Sequence, residues 1–142
     1  MKLTITGQDG FIGYHLYNTI KFQNPEIEII DFNKDFFKTD QKIDKVIKEV
    51  DVIVHLAGLN RSDNQDFLYN ENLLLSNKIV ESIKRVDFNG RLIFASSIQE
   101  DLNNAYGRGK KDSRELFSNE SKESSFSFIG LIIPNVFGPF CK

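Results

Sequence analysis

Gly7-Gln8-Asp9-Gly10-Phe11-Ile12-Gly13 narrows the possible folds of this chain more than any other stretch. Ahead of it, Lys2–Thr6 alternates polar and apolar residues, with Leu3 and Ile5 on one face, as a short strand does. Behind it, Ile12, Leu16 and Ile20 recur at helical spacing, so a helix is expected from near Gly10 to about Phe22. A GxxGxxG turn between a strand and a helix suits the approach of a pyrophosphate. Gly7 allows the tight turn, Gly10 the close backbone approach and Gly13 the packing of helix on sheet. The free N–H groups and the dipole of a helix start favour phosphate there.

The rest of the chain repeats the strand–helix alternation. Asn24-Pro25 breaks the first helix, and residues 27–30 read as a second strand ending at Asp31. Phe36-Phe37 reads as a weak third strand. Ile43, Val46, Ile47 and Val50 mark a helix, and residues 52–56 form an apolar run suited to a strand covered on both faces. Residues 68–86 carry a long helical stripe through Leu75, Ile79, Ile83 and Val86, ended by Asn89-Gly90. A strand at 92–95, a helix at 106–117 and a strand at 126–133, closed by Pro134, complete the pattern. Residues 118–125 read as a solvated helix end and loop. The fold class is therefore α/β: a Rossmann-like doubly wound parallel sheet with right-handed crossovers and expected strand order 3-2-1-4-5-6. Ligands of such sheets bind at the carboxyl ends of the strands where the order reverses, here between Gly7 and Gly58.

Composition excludes several classes of function. With 142 residues the chain fits one domain, and 40% hydrophobic and 27% charged residues are ordinary for a globular protein. A net charge of -2 and no basic–aromatic interleaving argue against a nucleic-acid partner. No apolar run is long enough to span a membrane, and the N-terminus runs straight into a strand rather than a signal peptide. Cys141 is the only cysteine, which suits a reducing, cytoplasmic setting. No Cys, His and carboxylate cluster has metal-ligand spacing, so no metal site is expected. His55 reads as a packed, hydrogen-bonded core imidazole, and His15 as a solvated one.

Two further features carry chemistry. Asp31 ends the second strand at roughly the 20-residue distance at which an acid accepts hydrogen bonds from the adenosine ribose. Such an acid repels a 2′-phosphate and so favours NAD over NADP. Tyr106-Gly107-Arg108-Gly109-Lys110 is a YxxxK pair on one helix face. A nearby ammonium is expected to lower the phenol's pKa, fitting Tyr106 for acid–base work on a carbonyl or alcohol. Ser96-Ser97 ends the preceding strand, where a hydroxyl can hydrogen-bond the same substrate oxygen. The two glycines weaken this helix, so something other than propensity must hold it.

In this order, the glycine turn, Asp31, His55-Leu56-Ala57-Gly58, Ser96-Ser97, YxxxK and Pro134-Asn135-Val136-Phe137-Gly138-Pro139 resemble the extended short-chain dehydrogenase/reductase family. That family contains the nucleotide-sugar epimerases and dehydratases. Within it, His55–Arg61, Ser96-Ser97-Ile98-Gln99 and Asn135–Gly138 are most similar to capsular-polysaccharide UDP-sugar 4-ketoreductases. The resemblance implies that Ser97 orients the substrate oxygen, Tyr106 donates the proton, and Lys110 binds the nicotinamide ribose and tunes Tyr106. It also implies that Phe11 and Ile12 offer N–H groups to the pyrophosphate. Leu56, Ala57, Gly58 and Pro134 line the cofactor crevice, and Asn72 supports the site from its helix. Asn60, Arg61 and Asn135 lie toward the sugar nucleotide, with Arg61 either a phosphate ligand or a solvated side chain. Reductases of this kind are expected to use NADP, against the preference read from Asp31.

The sequence departs from the family at Ile132, where an Arg is usual three residues before Asn135. The family also continues well past the position of Lys142. The resemblance therefore implies an NAD(P)-binding Rossmann domain over 1–142, truncated before the substrate-binding part, with the full-length enzyme a homo-oligomer. The expected activity is reduction of a UDP-linked 4-keto-6-deoxy amino sugar in capsule or O-antigen polysaccharide synthesis. An epimerase or 4,6-dehydratase is the alternative within the fold, ranked lower because Glu100 and Asp101 do not directly follow the serines. A non-catalytic NAD(P)-binding module is the alternative outside it, and the intact Ser97, Tyr106 and Lys110 argue against it.

Overall fold

The computed structural model describes residues 1–141. Five strands form one sheet: β1 (Lys2–Thr6), β2 (Glu28–Ile30), β3 (Val52–His55), β4 (Arg91–Ser97) and β5 (Ser127–Ile133). Four α-helices connect them: α1 (Phe11–Gln23), α2 (Asp40–Glu49), α3 (Gln65–Arg85) and α4 (Ala105–Glu123). All strand pairs are parallel, in the order β2-β1-β3-β4-β5.

This is the doubly wound sheet with one strand fewer than expected. Phe36-Phe37 does not form a strand but lies in a 3-10 helix, Lys34–Lys38, capped by Asn33 Oδ1 accepting from Asp35 N at 2.9 Å. The rings of Phe36 and Phe37 turn inward onto Phe32, with centroids 5.6 and 4.9 Å away. Burying both against the core replaces the pairing that a further edge strand would have made. Removing that strand from the order 3-2-1-4-5-6 leaves the order observed.

Helices cover the sheet on both faces. Under α1 lie Leu3, Ile5 and Val54 with Leu16, Tyr17 and Ile20. The opposite face packs under α2, α3 and α4, around Ile43, Ile47, Ile53, Ile79, Leu92, Phe94 and Phe117. Asp44 of α2 clamps α3, accepting from Ser82 Oγ at 2.6 Å and, through both oxygens, from the Arg85 guanidinium. α3 ends at Arg85, and Asp87, at φ 52°, makes the left-handed turn that leads to β4.

On the α1 face, the β4–β5 side of the sheet is bare. Edge strand β5 leaves Ile129 and Leu131 40% and 47% exposed, and Phe137 beyond it is 91% exposed. An apolar sheet edge of this kind favours association.

Phe117 is fully buried, with its ring 5.3 Å from Phe94 and 5.7 Å from His55. Phe117→Ala is expected to destabilise the chain by about 3–5 kcal/mol, read as a lower urea midpoint at unchanged slope.

Candidate active site

The glycine turn is shaped by close contact. Gly7 has φ 76°, and a Cβ there would stand 2.8 Å from Ala57 N. Its carbonyl accepts from Gly10 N at 2.9 Å, which closes the turn. A Cβ on Gly13 would overlap the same Gly7 carbonyl, so α1 can begin this close to β1 only with glycine there. Gly10 occupies the N-cap position in extended conformation, and no side chain caps the helix. The first N–H groups of α1 therefore have no side-chain acceptor and face the cleft lined by Phe11, Ile12 and Gly13. No acidic residue in the first turn opposes an anion.

The floor of the cleft is held by a buried polar chain. Ser76 Oγ donates to Asn72 O at 3.2 Å, so it accepts from His55 Nε2, 3.5 Å away. His55 Nδ1 is then bare and accepts from Thr6 Oγ1 at 2.6 Å, while Thr6 Oγ1 accepts from Ala57 N at 3.2 Å. Burial holds the His55 pKa down to about 3, and the Lys110 charge pushes the same way, so the ring is neutral. Asn72 pins the next loop: its Oδ1 accepts from Leu59 N at 3.0 Å, and its Nδ2 donates to Leu59 O and Leu68 O.

The residues of the YxxxK turn sit opposite. α4 starts at an Asn104 cap whose Oδ1 accepts from Gly107 N at 2.7 Å. Gly107 lies against the Gln99 carbonyl, which a Cβ would overlap. Gly109 faces the α3 backbone at Tyr69, where a Cβ would stand 3.6 Å from the Tyr69 carbonyl. Tertiary packing thus supplies the reason for Gly107, whereas a Cβ at Gly109 would make ordinary van der Waals contact. Lys110 is 6% exposed and donates to Ala95 O at 2.9 Å. Its Nζ lies 4.9 Å from the Phe94 ring centroid and 5.8 Å from that of Tyr106. Two of its three protons remain for the cleft it lines. Burial lowers its pKa to about 8, opposed by the Glu100 carboxylate.

Tyr106 departs from expectation. Its pKa is raised, not lowered, because burial disfavours the phenolate more than a hydrogen bond from Ser97 favours it. Lys110 lies near the ring rather than on the oxygen. The phenol is therefore protonated at neutral pH, the state a proton donor needs.

Beneath the serines, Ser96 Oγ donates to Glu100, whose two oxygens accept from Arg114 at 2.7 to 3.0 Å. Burial works to raise the Glu100 pKa, yet the bonds from Arg114 and Ser96 prevail and keep it low.

These elements enclose a cleft of about 920 Å³ at the carboxyl ends of the strands. Gly7, Gly10, Phe11, Ile12 and Gly13 line one wall, and Ser97, Tyr106 and Lys110 the other. Leu56, Gly58, Asn60 and Arg61 lie on its β3 side, and Pro134 and Asn135 follow β5 into it. Three predicted residues stand outside the lining. Asp31 is exposed just past β2, Ala57 is turned to Thr6 and Asn72 is occupied with the loop it holds. His15, expected in solvent, is half-buried and donates from Nε2 to Pro139 O at 2.9 Å. Sequence reasoning missed Gln8, whose Oε1 accepts from Phe32 N at 3.2 Å and ties the glycine turn to β2. No local pattern marks Gln8. Gln99, read in the sequence only as part of the Ser96-Ser97-Ile98-Gln99 stretch and given no role, lines both this cleft and a neighbouring recess of about 440 Å³ with Asn60, Arg61 and Asn104.

Fold and site together define an α/β protein of the dinucleotide-binding class, with a buried tyrosine and lysine facing its glycine turn across one cleft. The chain belongs to the NAD dependent epimerase/dehydratase family, whose profile matches residues 3–142. The family's cofactor is a nicotinamide dinucleotide, NAD or NADP. A UDP-2-acetamido-2,6-beta-L-arabino-hexul-4-ose reductase of Pseudomonas aeruginosa is 29% identical over the whole of this chain. The chain spans 37% of that relative's length. Among solved structures, the capsular polysaccharide assembling protein CapF of Staphylococcus aureus superposes with TM-score 0.81 at 23% identity, over 100% of this chain and 36% of its own. RMD of Pseudomonas aeruginosa, solved with NADPH, superposes with TM-score 0.86 at 19% identity, over 99% of this chain and 55% of its own. No helix among the described residues is long and apolar enough to cross a membrane.

The Lys110 shift makes a stability test. Between pH 8 and 10.5 the unfolded chain holds this proton and the folded chain does not, so stability rises with pH. The contribution is at most about 1.4 kcal/mol per pH unit. Urea unfolding across this window is expected to show the rise in the native chain, with Lys110→Met lacking that component.

Proposed function

We propose that the protein carrying this chain reduces the 4-keto group of a UDP-linked deoxy amino sugar, using NADPH or NADH. The observation that carries this reading is the facing of two walls across one cleft: uncapped α1 amides on one, Ser97, Tyr106 and Lys110 on the other. The cradle fits a dinucleotide, since Gly7 and Gly13 let the turn and α1 pack closely and Gly10 puts no side chain at the helix start where a diphosphate must approach. A bound nicotinamide supplies the hydride for the carbonyl carbon.

The side chains do the remainder. Ser97 Oγ accepts from Gln99 N at 3.2 Å, and its O–H, which bonds the Tyr106 oxygen in this structure, is in place to donate to a substrate oxygen at the same point. The Tyr106 phenol, kept protonated by burial, delivers its proton to that oxygen as negative charge develops. Lys110 holds positive charge beside the phenolate that remains and binds ribose hydroxyls with its free protons.

Reduction fits better than elimination. Glu100, the nearer of the two acids behind the serines, has a 6% exposed side chain engaged by Arg114 and Ser96. It is a structural ion pair and takes no proton from a sugar carbon. The name of the Pseudomonas aeruginosa relative supports a UDP-linked 4-keto acetamido sugar as the substrate class.

Tyr106→Phe tests the assignment. In the intact protein it is expected to lower kcat for NADPH-dependent reduction of a UDP-4-keto sugar by about 10²–10⁴, with dinucleotide affinity unchanged. Normal turnover by this variant refutes the proton-donor role.

A further inference from the structure

Gln99 lies two residues beyond Ser97, on the wall shared by the dinucleotide cleft and the smaller recess beside Tyr106. Its backbone is fixed on three sides. Its N–H donates to Ser97 Oγ at 3.2 Å, its carbonyl accepts from Leu102 N at 2.9 Å, and Gly107 closes against that carbonyl. Whatever Ser97 binds, Gln99 stands at a set position beside it.

The direction of the Gln99 amide follows from the cap of α4. A backbone N–H can only donate, so the 2.7 Å contact with Gly107 N identifies Asn104 Oδ1 as the acceptor. Asn104 Nδ2 is then the group 3.5 Å from Gln99 Oε1, donor facing acceptor. Gln99 Oε1 is directed to α4, and Nε2 is the end left for the hollow. Among the described residues, no hydrogen bond involves Gln99 Nε2.

From this polarity we infer that Gln99 is a substrate-specificity residue: its Nε2 donates to an acceptor oxygen on a sugar carbon beside the reacting carbonyl. The inference rests on the proposed function and names a further contact in the same site. An amide neither takes nor gives a proton at neutral pH. Gln99 therefore selects a substituent and does not deprotonate the carbon bearing it, in keeping with reduction at the adjacent carbon.

The test uses the intact protein as expressed from its own gene, saturated with NADP. The probe is a UDP-2-acetamido-2,6-dideoxy-4-keto hexose, titrated calorimetrically into native protein, Gln99→Leu and Gln99→Glu. Loss of one neutral hydrogen bond is expected to weaken probe binding about 3- to 10-fold in Gln99→Leu. Gln99→Glu, of the same shape but accepting only, is expected to bind more weakly still. NADPH affinity should be equal in all three, and in turnover KM should rise while kcat changes by less than about twofold. Native-like probe binding by Gln99→Leu or Gln99→Glu overturns the inference and leaves the proposed function standing. Native protein that binds NADPH but not the probe overturns the proposed function, and this inference with it.

Discussion

The first turn of α1 has no side-chain acceptor for its N–H groups, and the rest of the site is arranged around that deficit. Gly10 at the cap position brings no side chain, and no acidic residue follows in the first turn. Exposed helix-start amides attract an anion of the right geometry. The turn can present them only because Gly7 and Gly13 let β1, α1 and the end of β3 approach to van der Waals contact. A Cβ at Gly13 would push α1 away from the turn, and one at Gly7 would push the turn away from Ala57.

Buried polar groups then hold the opposite wall at the right distance. The Thr6–His55–Ser76 chain crosses from β1 through β3 to α3, and Asn72 extends it to the loop at Leu59. Each donor in this chain meets an acceptor, which makes it rigid rather than costly. His55 and Lys110 are buried close together, and their charges oppose each other. The imidazole yields and stays neutral, which leaves the ammonium as the charge in the cleft. Lys110 keeps that charge against burial through Ala95 O, the Phe94 ring and the field of Glu100.

The parts of this arrangement that were legible in the sequence rest on short-range pattern. The glycine turn, the α3 stripe and the Tyr106–Lys110 spacing depend on residues a few positions apart, and the structure forms them where expected. Phe36-Phe37 was misleading because an aromatic pair reads alike as a strand or as a buried cluster. Only the position of Phe32 in the folded chain decides between them. The expected lowering of the Tyr106 pKa failed for a related reason. Spacing puts Lys110 on the same helix face, but it does not reveal that its Nζ turns to Ala95 O. Asp31 was placed correctly at the end of β2 yet stands in solvent, outside the cleft lining. Gln99 was legible as part of the Ser96–Gln99 stretch, but the direction of its amide was not, because that depends on a cap formed by α4, an element later in the chain.

When the amides opening α1 hold a dinucleotide diphosphate, the proposed arrangement puts its reactive end beside Tyr106 and Lys110. A backbone ¹H–¹⁵N NMR titration with NADPH, on uniformly labelled protein, reports both ends at once. The account predicts saturable shifts at residues 8–13 and at residues 106–110, fitting one common dissociation constant. Saturable NADPH binding that leaves either stretch unperturbed would contradict it.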